Sequence, residues 1–93
     1  MLLNLERSSF RPSEPRQRSR GLLGTATLHI NGLVVRFVSV RKTKSGRLVI
    51  SFPKRRFADG HECAVVFPPT RAEHAQIERA VLKWIDQQEG AKR

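Results

Sequence analysis

The chain has no tyrosine, one cysteine, one tryptophan and one methionine, and its 8 acidic residues face 18 lysines and arginines. Each shortage removes a class of function. A lone Cys63 can close no intrachain disulfide and supplies no paired-cysteine metal motif. His29, His61 and His74 are widely separated and share no ligand spacing, so no metal site is expected. Glycine-rich loops that cradle phosphates are missing, and Ser39, Ser45 and Ser51 stand in no nucleophile-elbow context. Asp59-Gly60-His61-Glu62 gathers two acids and an imidazole, yet Asp and Gly are the residues a tight turn needs for backbone reasons. The expectation is therefore a protein without catalysis, cofactor or small-molecule substrate. No long hydrophobic run is present either. Met1 to Leu5 is far too short for a signal core or a membrane span, which points to a cytoplasmic protein without a membrane partner.

What the sequence does have is positive charge, +10 over 93 residues. A chain of this length makes one domain and buries only about 60–65% of the surface its unfolded form exposes, so its stability is modest unless something covers more apolar surface. The distribution of charge is uneven. Residues 1–20 carry five Arg against two Glu, residues 36–56 carry eight Lys/Arg and no acid, and residues 57–93 carry five Lys/Arg against six Asp/Glu. Crowding of cations into one region is what a surface facing a polyanion requires, because phosphate neutralisation supplies most of non-specific nucleic-acid affinity.

Three regions follow from the patterning: an N-terminal strand and basic arm over 1–21, a domain over 22–89, and a basic tail over 90–93. In the first, Leu3, Leu5 and Phe10 could line one face of a strand, but Ser8-Ser9 breaks the alternation. Arg11 to Arg20, with two Pro and four Arg, reads as a flexible basic connection. From Gly24 to Ile30 the alternation places Ala26, Leu28 and Ile30 together. Asn31-Gly32 then signals a two-residue hairpin turn. Continued alternation puts Leu33, Val35 and Phe37 on the same face, and Val34, Val38 and Val40 on the opposite one with Arg36. A strand apolar on both faces wants cover on two sides. Leu48, Ile50 and Phe52 form a third strand, and Glu62 to Phe67 a further one in which Cys63, Val65 and Phe67 alternate as core residues. Thr70-Arg71-Ala72-Glu73 is a capping box that opens a helix. Along it Ile77, Ala80, Val81, Trp84 and Ile85 share one side, and Gly90 marks the stop. The expected fold is α+β: a small antiparallel β-sheet of four to five strands with one C-terminal helix on one face. Since one helix covers one face only, the chain is expected to form a homodimer.

The cations fall into three groups. Lys54, Arg55 and Arg56 lie between Pro53, which ends a strand, and the Asp59-Gly60 turn, and read as a basic loop with fixed ends. Arg41, Lys42, Lys44 and Arg47 surround the preceding turn, and Arg71, Arg79 and Lys83 collect on the helix opposite its apolar side. A helix face of this kind is ordinarily just solvated, so the loop and the turn carry most of the weight. Aromatic platforms for single strands are few, with Phe57 as the candidate and the other Phe residues assigned to the core. Nucleic acid is the expected partner, through phosphates. The alternative is an adaptor whose basic surface binds an acidic protein.

Leu22 to Ile85 resembles the SpoVG family, stage V sporulation protein G or the septation regulator. The resemblance lies in Leu33-Val34-Val35, in Gly46-Arg47-Leu48-Val49-Ile50-Ser51-Phe52-Pro53, and in the signature Pro53-Lys54-Arg55-Arg56-Phe57-Ala58-Asp59-Gly60. It continues to Pro68 and to Gln76-Ile77-Glu78-Arg79-Ala80-Val81-Leu82. This resemblance implies a small α+β homodimer that regulates bacterial gene expression by binding DNA and RNA. Lys54 stands where the family tends to carry Ser, and Gly90-Ala91-Lys92-Arg93 replaces its acidic tail.

Overall fold

A computed structural model describes residues 2–91, with side chains up to Gln88. The elements run β1 (Leu3–Pro12), α1 (Pro15–Arg18), β2 (Leu22–Ile30), β3 (Leu33–Lys42), β4 (Leu48–Ser51), β5 (Lys54–Arg56), β6 (Glu62–Ala64) and α2 (Arg71–Ala91). The first four strands form one antiparallel sheet in the order β1-β2-β3-β4, and β5-β6 form a separate two-stranded hairpin. The fold class is thus α+β, a four-stranded antiparallel sheet with a C-terminal helix. Among the described residues no helix is long and apolar enough to cross a membrane.

The Asn31-Gly32 turn forms as its sequence requires. Both residues take positive φ, 51° and 77°, the mirror-image geometry that matches strand twist, and Ile30 pairs with Leu33. Beyond that turn the alternation on β3 does not hold. Ala26 pairs with Val38 but Leu28 with Val35, so Arg36 and Phe37 together oppose Thr27. This β-bulge reverses the phase of the strand. Val38 and Val40 consequently join Val35 on the inner face, all three buried, and Phe37 is left outside. The expectation of two apolar faces on β3 is corrected on this point.

Ala26, Leu28, Val35, Val38, Val40 and Ile50 form the sheet side of the core, and Ile77, Val81, Trp84 and Ile85 of α2 close it. Thr70 caps that helix, its Oγ1 accepting from the Glu73 amide at 3.1 Å. The helix passes through Gly90 to Ala91 instead of stopping there, since a glycine weakens a helix without forbidding it. Lys92 and Arg93 lie outside the described residues.

Residues 11–20 also differ from the expected flexible arm. β1 continues to Pro12 and pairs Pro12 with Gly24, and Pro15 begins a single helical turn. The Ser8-Ser9 break is a large bulge between Asn4 and Ser9. Local polar groups hold it: Ser8 Oγ donates to the Asn4 carbonyl at 2.7 Å and accepts from the His29 amide at 3.1 Å. The segment after Arg18 then reaches β3, where the Lys42 amide donates to the Gly21 carbonyl at 2.7 Å. Gly21 has φ of 96°, and a Cβ there would lie 2.7 Å from the Lys42 carbonyl oxygen. No other residue fits that approach.

Candidate nucleic-acid interface

Lys54, Arg55 and Arg56 are not on a loop. They are β5, paired residue for residue with Ala64, Cys63 and Glu62, and all three are exposed. β4 ends at Ser51, before Pro53; the Pro53 carbonyl accepts from the Val65 amide, and the chain resumes as a strand at Lys54. The turn lies further on, over Phe57 to Gly60. The Gly60 amide donates to the Phe57 carbonyl at 2.9 Å, and Asp59 Oδ1 accepts from the His61 amide at 2.9 Å. Asp59 therefore serves the backbone. Strand alternation sends Lys54 and Arg56 to one side of the hairpin and Arg55 to the other. The Arg55 guanidinium sits over the Phe57 ring, 5.4 Å from its centroid, so one face of that aromatic is already covered.

Only the first half of the expected 62–67 strand forms. Past Ala64 the chain leaves the hairpin, and Cys63, Val65, Val66 and Phe67 are exposed. They are not core residues: β6 belongs to a separate two-stranded sheet and ends at Ala64, before Val65.

Lys54 and most of the candidate cations outside β5 line three concavities. Arg41 and Lys54 line a cleft of about 510 Å³ with Phe37, Ser39, Ser51 and Glu62, where the outer face of the sheet meets the hairpin. Lys42 and Lys44 line a second, also about 510 Å³, with Arg18 and Arg20 from the segment that Gly21 pins to β3. Arg47 and Arg71 share a third, about 460 Å³, between β4 and the start of α2. The β3–β4 turn that presents Lys44 is fixed internally. Thr43 Oγ1 accepts from the Arg47 amide at 3.1 Å and lies 2.9 Å from Ser45 Oγ. Arg79 and Lys83 are exposed on α2, and Arg79 Nε donates to the Ala75 carbonyl at 3.5 Å.

Two sets of residues escaped sequence reasoning. Arg18 and Arg20 join the turn cations only because the connection folds back, a consequence of one positive-φ glycine that a Pro/Arg-rich composition conceals. Phe37 has the phase of a core residue by simple alternation, yet it is 70% exposed, and Phe67 is 63% exposed. Only Phe52 among the phenylalanines is fully in the core, with Phe10 packed at its margin.

No family model and no curated protein matches the chain.

Proposed function

We propose that the protein is a homodimeric nucleic-acid-binding regulator that acts on DNA or RNA without catalysis, in the bacterial cytoplasm that its family resemblance implies. The observation that carries this reading is the gathering of basic side chains into two clefts. Arg20, Lys42 and Lys44 meet at the β3–β4 end, and Arg41 meets Lys54 beside the hairpin, with Glu62 the one acid lining either cleft. Clefts lined mainly by cations concentrate a field that a phosphate backbone satisfies.

The dimer reading rests on a different surface. Leu33, Val66, Phe67 and Pro68 line an apolar concavity of about 320 Å³ whose lining includes Glu73 and no cation. A second copy carrying the same net charge can approach there without bringing cations together.

Salt dependence tests the phosphate contacts. Lys54 and Arg56 face one way, so a dimer sets about four of these cations against phosphates and they contribute about −4 to the slope of log K against log salt on duplex DNA. Replacing Lys54, Arg55 and Arg56 by Ala should flatten the slope by about that amount and weaken all sequences alike. Arg79→Ala with Lys83→Ala should alter preference among sequences more than the slope. An unchanged slope in the triple variant, with its circular dichroism also unchanged, would move the contact surface and favour an adaptor for an acidic protein.

A further inference from the structure

The outer face of the sheet carries a feature that phosphate binding does not use. Phe37 sits in a β-bulge with φ of 62° and is 70% exposed. A left-handed backbone is unfavourable for any side chain with a Cβ, and such strained positions concentrate at ligand sites. Bulges serve there to re-aim a side chain. Here the bulge turns an aromatic ring out of the core and into a cleft that Arg41 and Lys54 also line, with the paired hydroxyl residues Ser39 and Ser51 in the same cleft.

We propose that Phe37 is a stacking platform for a base of single-stranded nucleic acid, with Arg41 and Lys54 holding the phosphates on either side of that nucleotide. This deepens the nucleic-acid reading above and depends on it. Every base offers a π-face, so stacking tolerates sequence, but a duplex keeps its base faces inside the helix and cannot use the ring. A second copy of the chain suits this face poorly. Two-fold packing centred on Phe37 would set Arg36, Arg41 and Lys54 of one protomer against the same residues of the other, with Glu62 as the acid in the cleft.

The test compares wild type, Phe37→Gly and Phe37→Trp on oligouridine, on oligodeoxythymidine and on a mixed-sequence duplex, by fluorescence anisotropy, with oligomeric state measured alongside. Glycine accepts the φ at position 37 and the ring is mostly outside the core, so the variant should remain folded. The expected result is a loss of about 5- to 150-fold in affinity for both single strands with duplex binding and salt slope unchanged, the range that removing one stacking aromatic produces. Phe37→Trp should retain single-strand binding. Wild-type binding to single strands that Phe37→Gly leaves intact would overturn the stacking site alone. Conversion of Phe37→Gly from dimer to monomer would also overturn it, by assigning this face to a second copy. If wild type binds none of the three oligonucleotides, the nucleic-acid reading itself fails and the stacking site with it.

Discussion

Replacing Glu78 by Ala should unlatch the edge of the sheet. β4 is an end strand, bonded to β3 on one side, and on its other side the Ile50 amide donates to Glu78 Oε2 of α2 at 3.0 Å. The carboxylate is well sheltered, with 14% of its side chain exposed, and lies 3.8 Å from His74 Nδ1. A hydrogen bond to a charged group contributes about 1.5–3 kcal/mol when it is partly buried. Alanine returns about 0.3–0.5 kcal/mol through its better helix propensity. The net loss is about 1–2.5 kcal/mol, a fall in Tm of about 5–15 °C for a domain of this size. Urea unfolding followed by the fluorescence of Trp84, the single tryptophan, measures it. Glu78→Gln keeps an acceptor for the Ile50 amide and should retain more than half of the stability lost in Glu78→Ala. The alanine variant should also aggregate more readily, because an uncovered edge amide is a template for another strand. An unchanged midpoint for Glu78→Ala would refute the latch. Equal damage from Gln and Ala would show that the charge matters and the hydrogen bond does not.

Trp84→Ala should cost about 3–5 kcal/mol, the usual range for emptying a large aromatic site, since Trp84 packs with Ile77, Val81 and Ile85 against the sheet. Far-UV circular dichroism during thermal unfolding checks it, and an unchanged midpoint would mean that α2 is not held by this side chain. Light scattering at micromolar concentration should report twice the 10.6 kDa chain mass. Phe67→Glu should reduce that to one chain by placing a charge in the apolar concavity, and a stable wild-type monomer would sink the dimer.

Local signals decided much of the architecture. The Asn31-Gly32 turn, the Asp59-Gly60 turn, the Thr70 cap and the spacing of Ile77, Val81, Trp84 and Ile85 each act within a few residues. Turn geometry, capping and helical period do not need the rest of the fold. For the same reason the inner face of β2 and the burial of Ile50 on β4 were legible, and so was the concentration of charge between Arg36 and Arg56, whereas Leu48, expected on the same face as Ile50, is 41% exposed.

Tertiary structure decided the remainder, and the bulge at Arg36-Phe37 shows why. Nothing in Arg36-Phe37-Val38 marks an extra residue, because the cause lies in the competition to bury Val35, Val38 and Val40 under one helix. Burying all three is worth more than the strain of one aromatic at positive φ. That choice exposes Phe37 and removes the second apolar face that alternation implied. The hairpin status of Lys54 to Arg56 is likewise non-local, since a strand of three cations exists only where Glu62 to Ala64 can reach it. The basic connection 11–20 is ordered by pairing of β1 with β2 and by the Gly21 contact with β3, both supplied from far along the chain. Charge and turns are written in neighbouring residues, whereas which charges share a cleft depends on contacts that only the folded chain creates.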